Sequence, residues 1–245
     1  MAVSAADGNN GAGIRSDVGN LTVRNCYFHD GQEGILGPST TNVDTVVIQN
    51  SHFARLGVDG YEHDMYIGHA ASFTLQNSLI EQGFQGNVVK TRAEKSVIEC
   101  NQIQNGYDSG YVKNGYLIDM PNGGEEHILN NVLSQGTLNG GQKIMVEFGA
   151  EGLNNLSASL EMSGNIMLND LGAGTFLNLF AAPTAPAQLS ANQFVGGGTV
   201  VGGAAAASVT ESGDSVFATR ATAGIAQQFP VPAACQGTIG NLSVP

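Results

Sequence analysis

Positive charge is scarce in this sequence. Lys and Arg number nine against 21 Asp and Glu, for a formal net charge of -12. Nucleic acid needs basic patches, so that class of partner is excluded. Charge of either sign makes up only 12% of the residues, so any anionic ligand has to be held by a few locally placed cations. Disorder is excluded too, because 42% of the residues are apolar. No apolar run reaches the length of a membrane-spanning helix. No basic start leads into an apolar run, so no signal peptide is expected in this chain. Cysteine is limited to Cys26, Cys100 and Cys235. Their spacing fits no metal knuckle, and an odd number rules out a fully paired framework. Cys26 and Cys100 are expected as small buried side chains. Cys235, in a proline-containing tail, is expected as the accessible one. The 34 Gly and abundant Asn argue against a helix-rich fold.

What the sequence does contain is repetition. Its 245 residues allow one large domain or two small ones. Strand-like runs stack as "LTVRNCYF" from Leu21, "VVIQNSHF" from Val46, "FTLQNSLI" from Phe73, "VIECNQI" from Val97 and "HILNNVL" from His127. Fainter copies are "LEMSGNIM" from Leu160 and "AQLSANQF" from Ala187. A bend column reads Asn25, Asn50, Asn77, Cys100, Asn130, Gly164, Ala191. An apolar column after it reads Phe28, Phe53, Ile80, Ile103, Leu133, Met167, Phe194. The period drifts from roughly 25 to about 30 residues, in the range of solenoids. Two-residue alternation excludes helical repeats, and the unit is too short for a propeller blade. The expectation is an all-β parallel β-helix of about seven to eight coils, spanning residues 1–201. A last irregular coil and a Pro/Gly/Ala-rich tail follow over residues 202–245, lying along the solenoid or capping it. Asn suits the bend because it tolerates left-handed backbone. Its amides would stack as a ladder between coils about 4.8 Å apart.

These runs occur with "GAGIR", "NLTVRNCYFHDGQEGIL", "DGYEHDMYIG", "VVKTRA", "IDMPNGG" and "FGAEG". Together they resemble the right-handed parallel β-helix of the pectate-lyase-like superfamily. The narrower likeness is to bacterial right-handed β-helix repeat proteins, from about Gly19 to Val201. The resemblance implies a polysaccharide ligand and a location outside the cell or at its surface. It also implies that N-terminal coils before "GAGIR" are missing. A bare first coil exposes strand edges, so a homo-oligomer or filament is expected.

A second ladder carries the chemistry. "HDMYIG" from His63, "NVVKTR" from Asn87, "YLIDMP" from Tyr116 and "IMVEFG" from Ile144 align. Their third column, Met65, Val89, Ile118 and Val146, faces the core. The fourth column, Tyr66, Lys90, Asp119 and Glu147, then points outward. Arg92 shares that face, which Asn122 and Glu151 extend. His29, Glu33, Asp59 and His63 are placed at its rim, with Asn87 on the adjoining rung. A plain surface ion pair between Lys90 and Asp119 is the bland reading. Two of only nine cations in one short strand argue for more.

Acidic polysaccharide is the expected partner. In a lyase, Arg92 clamps a uronate carboxylate in a bidentate grip. Lys90, His63 or Tyr66 moves the proton. Many β-helix lyases use calcium, and Asp119 with Glu147 would supply part of such a site. In a glycoside hydrolase, Asp119 and Glu147 would be the carboxylate pair, about 5 Å apart. The third reading is a non-catalytic glycan-binding or structural solenoid. Relatives tend to read "GHxIKSRA" where this chain reads "NVVKTRA". Asn87 therefore stands where a His is usual, and an amide cannot transfer protons.

Overall fold

A computed structural model describes residues 11–38, 40, 44–57, 62–107, 113–227 and 229–236. The chain is an all-β parallel solenoid built from three sheets of eight strands each. No α-helix occurs among the described residues, and no helix there is long and apolar enough to cross a membrane. The first sheet begins with Ala12–Arg15 and Glu33–Leu36 and ends with Thr199–Gly202. The second begins with Leu21–Arg24 and ends with Val209–Ser212. The third begins with Tyr27–His29 and ends with Ser215–Phe217. Strands of the second and third sheets thus continue beyond residue 201. Each pass of the chain adds one parallel strand to every sheet.

The bend between the second and third sheets explains the repeat. Asn25, Asn50, Asn77, Cys100, Asn130 and Ala191 all have φ between 50° and 55°, and Gly164 has φ 67°. The left-handed conformation turns the strand through the corner, and Gly and Asn occupy it most cheaply. Three residues on, Phe28, Phe53, Ile80, Ile103, Leu133, Met167 and Phe194 pair in register down the third sheet. Most of this column is fully buried. Truncating a side chain such as Phe53 to alanine would cost about 3–5 kcal/mol.

The amide ladder is present but displaced by one residue from the expected column. Asn25 and Asn50 at the bend are exposed. The residue after the bend points inward instead. Asn101 N–H donates to Asn131 Oδ1 at 2.9 Å, Asn131 N–H to Asn165 Oδ1 at 2.9 Å, and Asn165 N–H to Asn192 Oδ1 at 3.1 Å. Each Nδ2 also donates to a main-chain carbonyl of the coil before, as Asn131 does to Ile98 O at 2.7 Å. Ser51 and Ser78 hold this place earlier, and Asp214 closes it. Buried main-chain donors at the corner are thereby satisfied.

After Phe217 the chain returns along the outer face of the third sheet. Ala223 and Ile225 pack on buried Val132, Leu168 and Val195. Arg220 grips Asp170 through Nε at 2.8 Å and Nη2 at 2.6 Å, and Tyr107 donates to the same carboxylate at 2.8 Å. The strap ends in a disulfide between Cys235 and Cys100. The cysteine expectations are therefore corrected: Cys235 is fully buried, while Cys26 is the exposed free thiol. A partner 135 residues away is invisible to spacing arguments. It becomes visible only when the tail folds back.

Candidate functional site

The outer face of the first sheet gathers most of the expected residues. Tyr66, Lys90, Asp119 and Glu147 occupy one column, paired rung by rung. Met65, Val89, Ile118 and Val146 form the inward column beside them and are fully buried. Arg92 follows the strand Val89–Thr91 and reaches across this face. Its Nε donates to Tyr66 Oη at 2.8 Å, and another nitrogen donates to Asn122 Oδ1. Its Nη2 lies 2.7 Å from Glu151 Oε2. Lys90 Nζ lies 3.4 Å from Glu151 Oε1 and 3.2 Å from Asp119 Oδ2. Both cations also sit over the Tyr66 ring, at 5.7 and 5.8 Å from its centroid. Burial works against ionisation of Glu151, yet the Arg92 and Lys90 charges hold its carboxyl below the usual range.

Two members of the column depart from expectation. Asp119 and Glu147 project outward but are closed off from solvent, at 2% and 0% exposure. The side chain of Asn87 donates to Asp119, and Ala150 N–H donates to Glu147 Oε1. Burial, followed by a hydrogen bond and charge repulsion from Asp119, pushes Glu147 far above the carboxylate range. Glu147 Oε2 is buried with no hydrogen-bond partner. Burial and the same two acids push the Tyr116 phenol up to about 12. A calcium ion does not fit here. It wants about six to eight oxygens, whereas this pair is two buried carboxyls with the Lys90 ammonium beside them. Among the described residues, no three His, Cys, Asp or Glu side chains gather to hold a metal. A hydrolase pair is also disfavoured, since both carboxyls are closed off from solvent.

His63 and Asn87 lie at the margin as a fixed pair. Asn87 N–H donates to His63 Nδ1 at 2.9 Å, so the ring hydrogen is on Nε2. Burial, then the Lys90 and Arg92 charges, push His63 down to about 3. It is a neutral spacer, packed edge-on against Tyr66 with ring centroids 5.6 Å apart. Asn87 has its own task here. Its Oδ1 accepts from Tyr116 N–H at 2.9 Å while its Nδ2 holds Asp119. The amide supplies a donor and an acceptor at once.

Of the other rim residues, Glu33 is buried at the start of Glu33–Leu36 on the same sheet. His29 is not part of the site. It lies on the third sheet, stacked on Tyr27 at 4.3 Å and 2.6 Å from Asp30. The turn after "LTVRNCYFHD" separates it from the first sheet. Asp59 lies outside the described residues. Asn155 was not among the residues the sequence pointed to. Its Nδ2 donates to Ala93 O at 2.8 Å and Gly123 O at 2.9 Å, tying the segment after Glu151 to the neighbouring coils. Comparison with protein-family models, curated proteins and solved structures gives no match.

Proposed function

We propose that this solenoid binds an acidic, uronate-containing polysaccharide along its first sheet and cleaves it by β-elimination. One observation carries the reading: Arg92 and Lys90 converge on a single carboxylate, that of Glu151, beside the Tyr66 hydroxyl. The grip is the one that a uronate carboxylate requires. Glu151 is half-exposed and stands where the substrate carboxylate would sit. In this reading Arg92, with Lys90, neutralises the uronate and so acidifies its C5 proton. Tyr66 Oη, which accepts from Arg92 Nε, is the base for that proton. The electron pair forms the C4–C5 double bond, the bond from C4 to the glycosidic oxygen breaks, and Tyr66 returns the proton to the leaving oxygen. Asp119 anchors Lys90. His63 and Asn87 position the group rather than exchange protons with substrate.

Membership of the pectate-lyase-like superfamily, with its right-handed coil, is the family reading that goes with this. A buried disulfide suits an oxidising compartment, which supports placement outside the cell. The test is incubation with a panel of acidic polysaccharides. Unsaturated ends that absorb in the ultraviolet are expected, with turnover lost at least about a hundredfold in Arg92→Ala and Tyr66→Phe. New reducing ends without that absorbance would indicate hydrolysis. Binding without cleavage would leave a glycan-binding solenoid, and neither would sink the reading.

A further inference from the structure

One of the five histidines is left without a ring partner. His29 bonds to Asp30, His52 to Glu81, His63 to Asn87 N–H, and His127 to Glu161 and Glu125. Among the described residues, the ring of His69 makes no hydrogen bond and no ion pair. His69 is half-buried and lies in the corner after the strand Met65–Ile67, which carries Tyr66.

The register shows where it stands. Thr91 pairs with Ile67, and Ser96 pairs with Phe73, so the earlier coil carries one residue more between these pairs. Main-chain bonds locate the extra residue. Arg92 N–H donates to Ile67 O at 2.9 Å, and Glu94 N–H donates to Ala70 O at 2.9 Å. Gly68 and His69 together therefore face Arg92 alone, in the two-against-one arrangement of a bulge. Gly68 brings no side chain, and a Cβ there would collide with Pro38 O. Ala70 N–H closes back on Gly68 O at 3.0 Å, which puts His69 at the apex of a tight turn. Ile67 and Ala70, which flank the pair, are buried, as are Thr91 and Ala93 on either side of Arg92. His69 and Arg92 thus stand across from each other on adjacent rungs, with main chains about 4.8 Å apart, on the side away from the core.

We propose that His69 is a further substrate-contacting residue of this face, binding the sugar unit next to the one whose carboxylate Arg92 holds. The ligand assigned to His69 rests on the proposed function, whereas its place opposite Arg92 does not. In a sugar chain laid along the solenoid axis, neighbouring units fall on neighbouring rungs. A chain clamped at Arg92 therefore presents its next unit to His69. An uncharged imidazole offers one donor and one acceptor, which suits a pair of sugar hydroxyls, while Arg92 and Lys90 offer donors only. Burial, then the Arg92 charge, holds His69 below the usual histidine value of 6.5, with the Glu94 and Glu151 carboxylates opposing. The ring is uncharged at pH 7 and gains its charge as pH falls, which adds a cation for the uronate chain.

Binding of polygalacturonate and of alginate to the full chain is measured by calorimetry between about pH 5 and 8. At pH 7, His69→Ala should bind about tenfold more weakly than wild type, the loss of about one to two hydrogen bonds. His69→Gln keeps a donor and an acceptor, so it should recover most of that affinity but lack the wild-type rise in affinity as pH falls. Wild-type affinity and pH profile in both variants overturn the subsite alone. Without polymer, the imidazole resonance that disappears in His69→Gln should titrate at higher pH in Arg92→Ala than in wild type. An unchanged titration overturns the juxtaposition with Arg92. If wild type binds neither polymer, the proposed function falls and the subsite with it.

Discussion

Arg92 Nη2 lies 2.7 Å from Oε2 of Glu151, a carboxylate 59 residues further along the chain. The protein therefore occupies its own anion grip. On the proposed function, an incoming uronate would have to displace Glu151 before both cations could bind it. Replacing Glu151 by Gln should lower the KM or Kd for an acidic polymer about tenfold, corresponding to about 1.4 kcal/mol. The gain should shrink as salt rises. Unchanged affinity, measured by calorimetry at two ionic strengths, would show that the grip is not where polymer binds.

Stability should vary with pH in both directions, for separate reasons. Burial raises Glu126 from 4.5 to about 8, although a hydrogen bond from Ser96 opposes the shift. A raised carboxyl stabilises most below pH 4.5, and its contribution is lost as pH rises toward 8. His63 behaves oppositely. Its value is lowered from 6.5 to about 3, so its contribution is present above pH 6.5 and lost as pH falls toward 3. Between pH 6.5 and 8 the raised carboxyls act without His63, and Glu126 adds about 1.4 kcal/mol per pH unit to the slope that Glu147 also contributes. Urea unfolding of Glu126→Gln should show a shallower decline across that interval. An identical slope in both proteins would refute the assignment to Glu126.

The strap depends on its terminal bond. Removing a native disulfide typically costs about 2–5 kcal/mol, and here the loss should fall on the strap before the coils. In Cys235→Ser, or under reductant, amide exchange should accelerate over residues 218–236 while the ladder from Asn101 to Asn192 stays protected. Uniform acceleration throughout would mean that the strap and coils form one cooperative unit.

Ala191 occupies the left-handed bend at φ 54°, where its neighbours down the column are Asn or Gly. It is exposed, so packing does not complicate the substitution. Ala191→Gly should raise stability by about 1 kcal/mol, because the left-handed penalty disappears. Thermal unfolding gives the answer directly, and a lower melting temperature would contradict it.

The coil architecture was legible because its rules are local. A left-handed bend favours Asn or Gly, and a column of Phe, Ile, Leu and Met faces inward every period. The rung alignment of Tyr66, Lys90, Asp119 and Glu147 followed from the same alternation. Two kinds of feature were not legible. Alternation gives the direction of a side chain but not what lies over it, so Asp119 and Glu147 read as accessible when Asn87 and Ala150 close them in. Contacts made by the returning tail have no period, so the pairing of Cys100 was hidden. The one trace of it was a Cys in a column filled mostly by Asn and Gly. His69 was visible as a letter, but its place opposite Arg92 appears only when the extra residue of its coil is located.

The amide ladder has a direction. Asn131 accepts from Asn101 and donates to Ile98 O, both in the preceding coil, and Asn165 and Asn192 reach back in the same way. The lock on each coil is therefore encoded in the one that follows it in sequence. During synthesis, a newly made coil would stay unlatched until roughly another period of chain had emerged, which makes assembly sequential from the N-terminal side. Asp214 closes the series, accepting from Asn192.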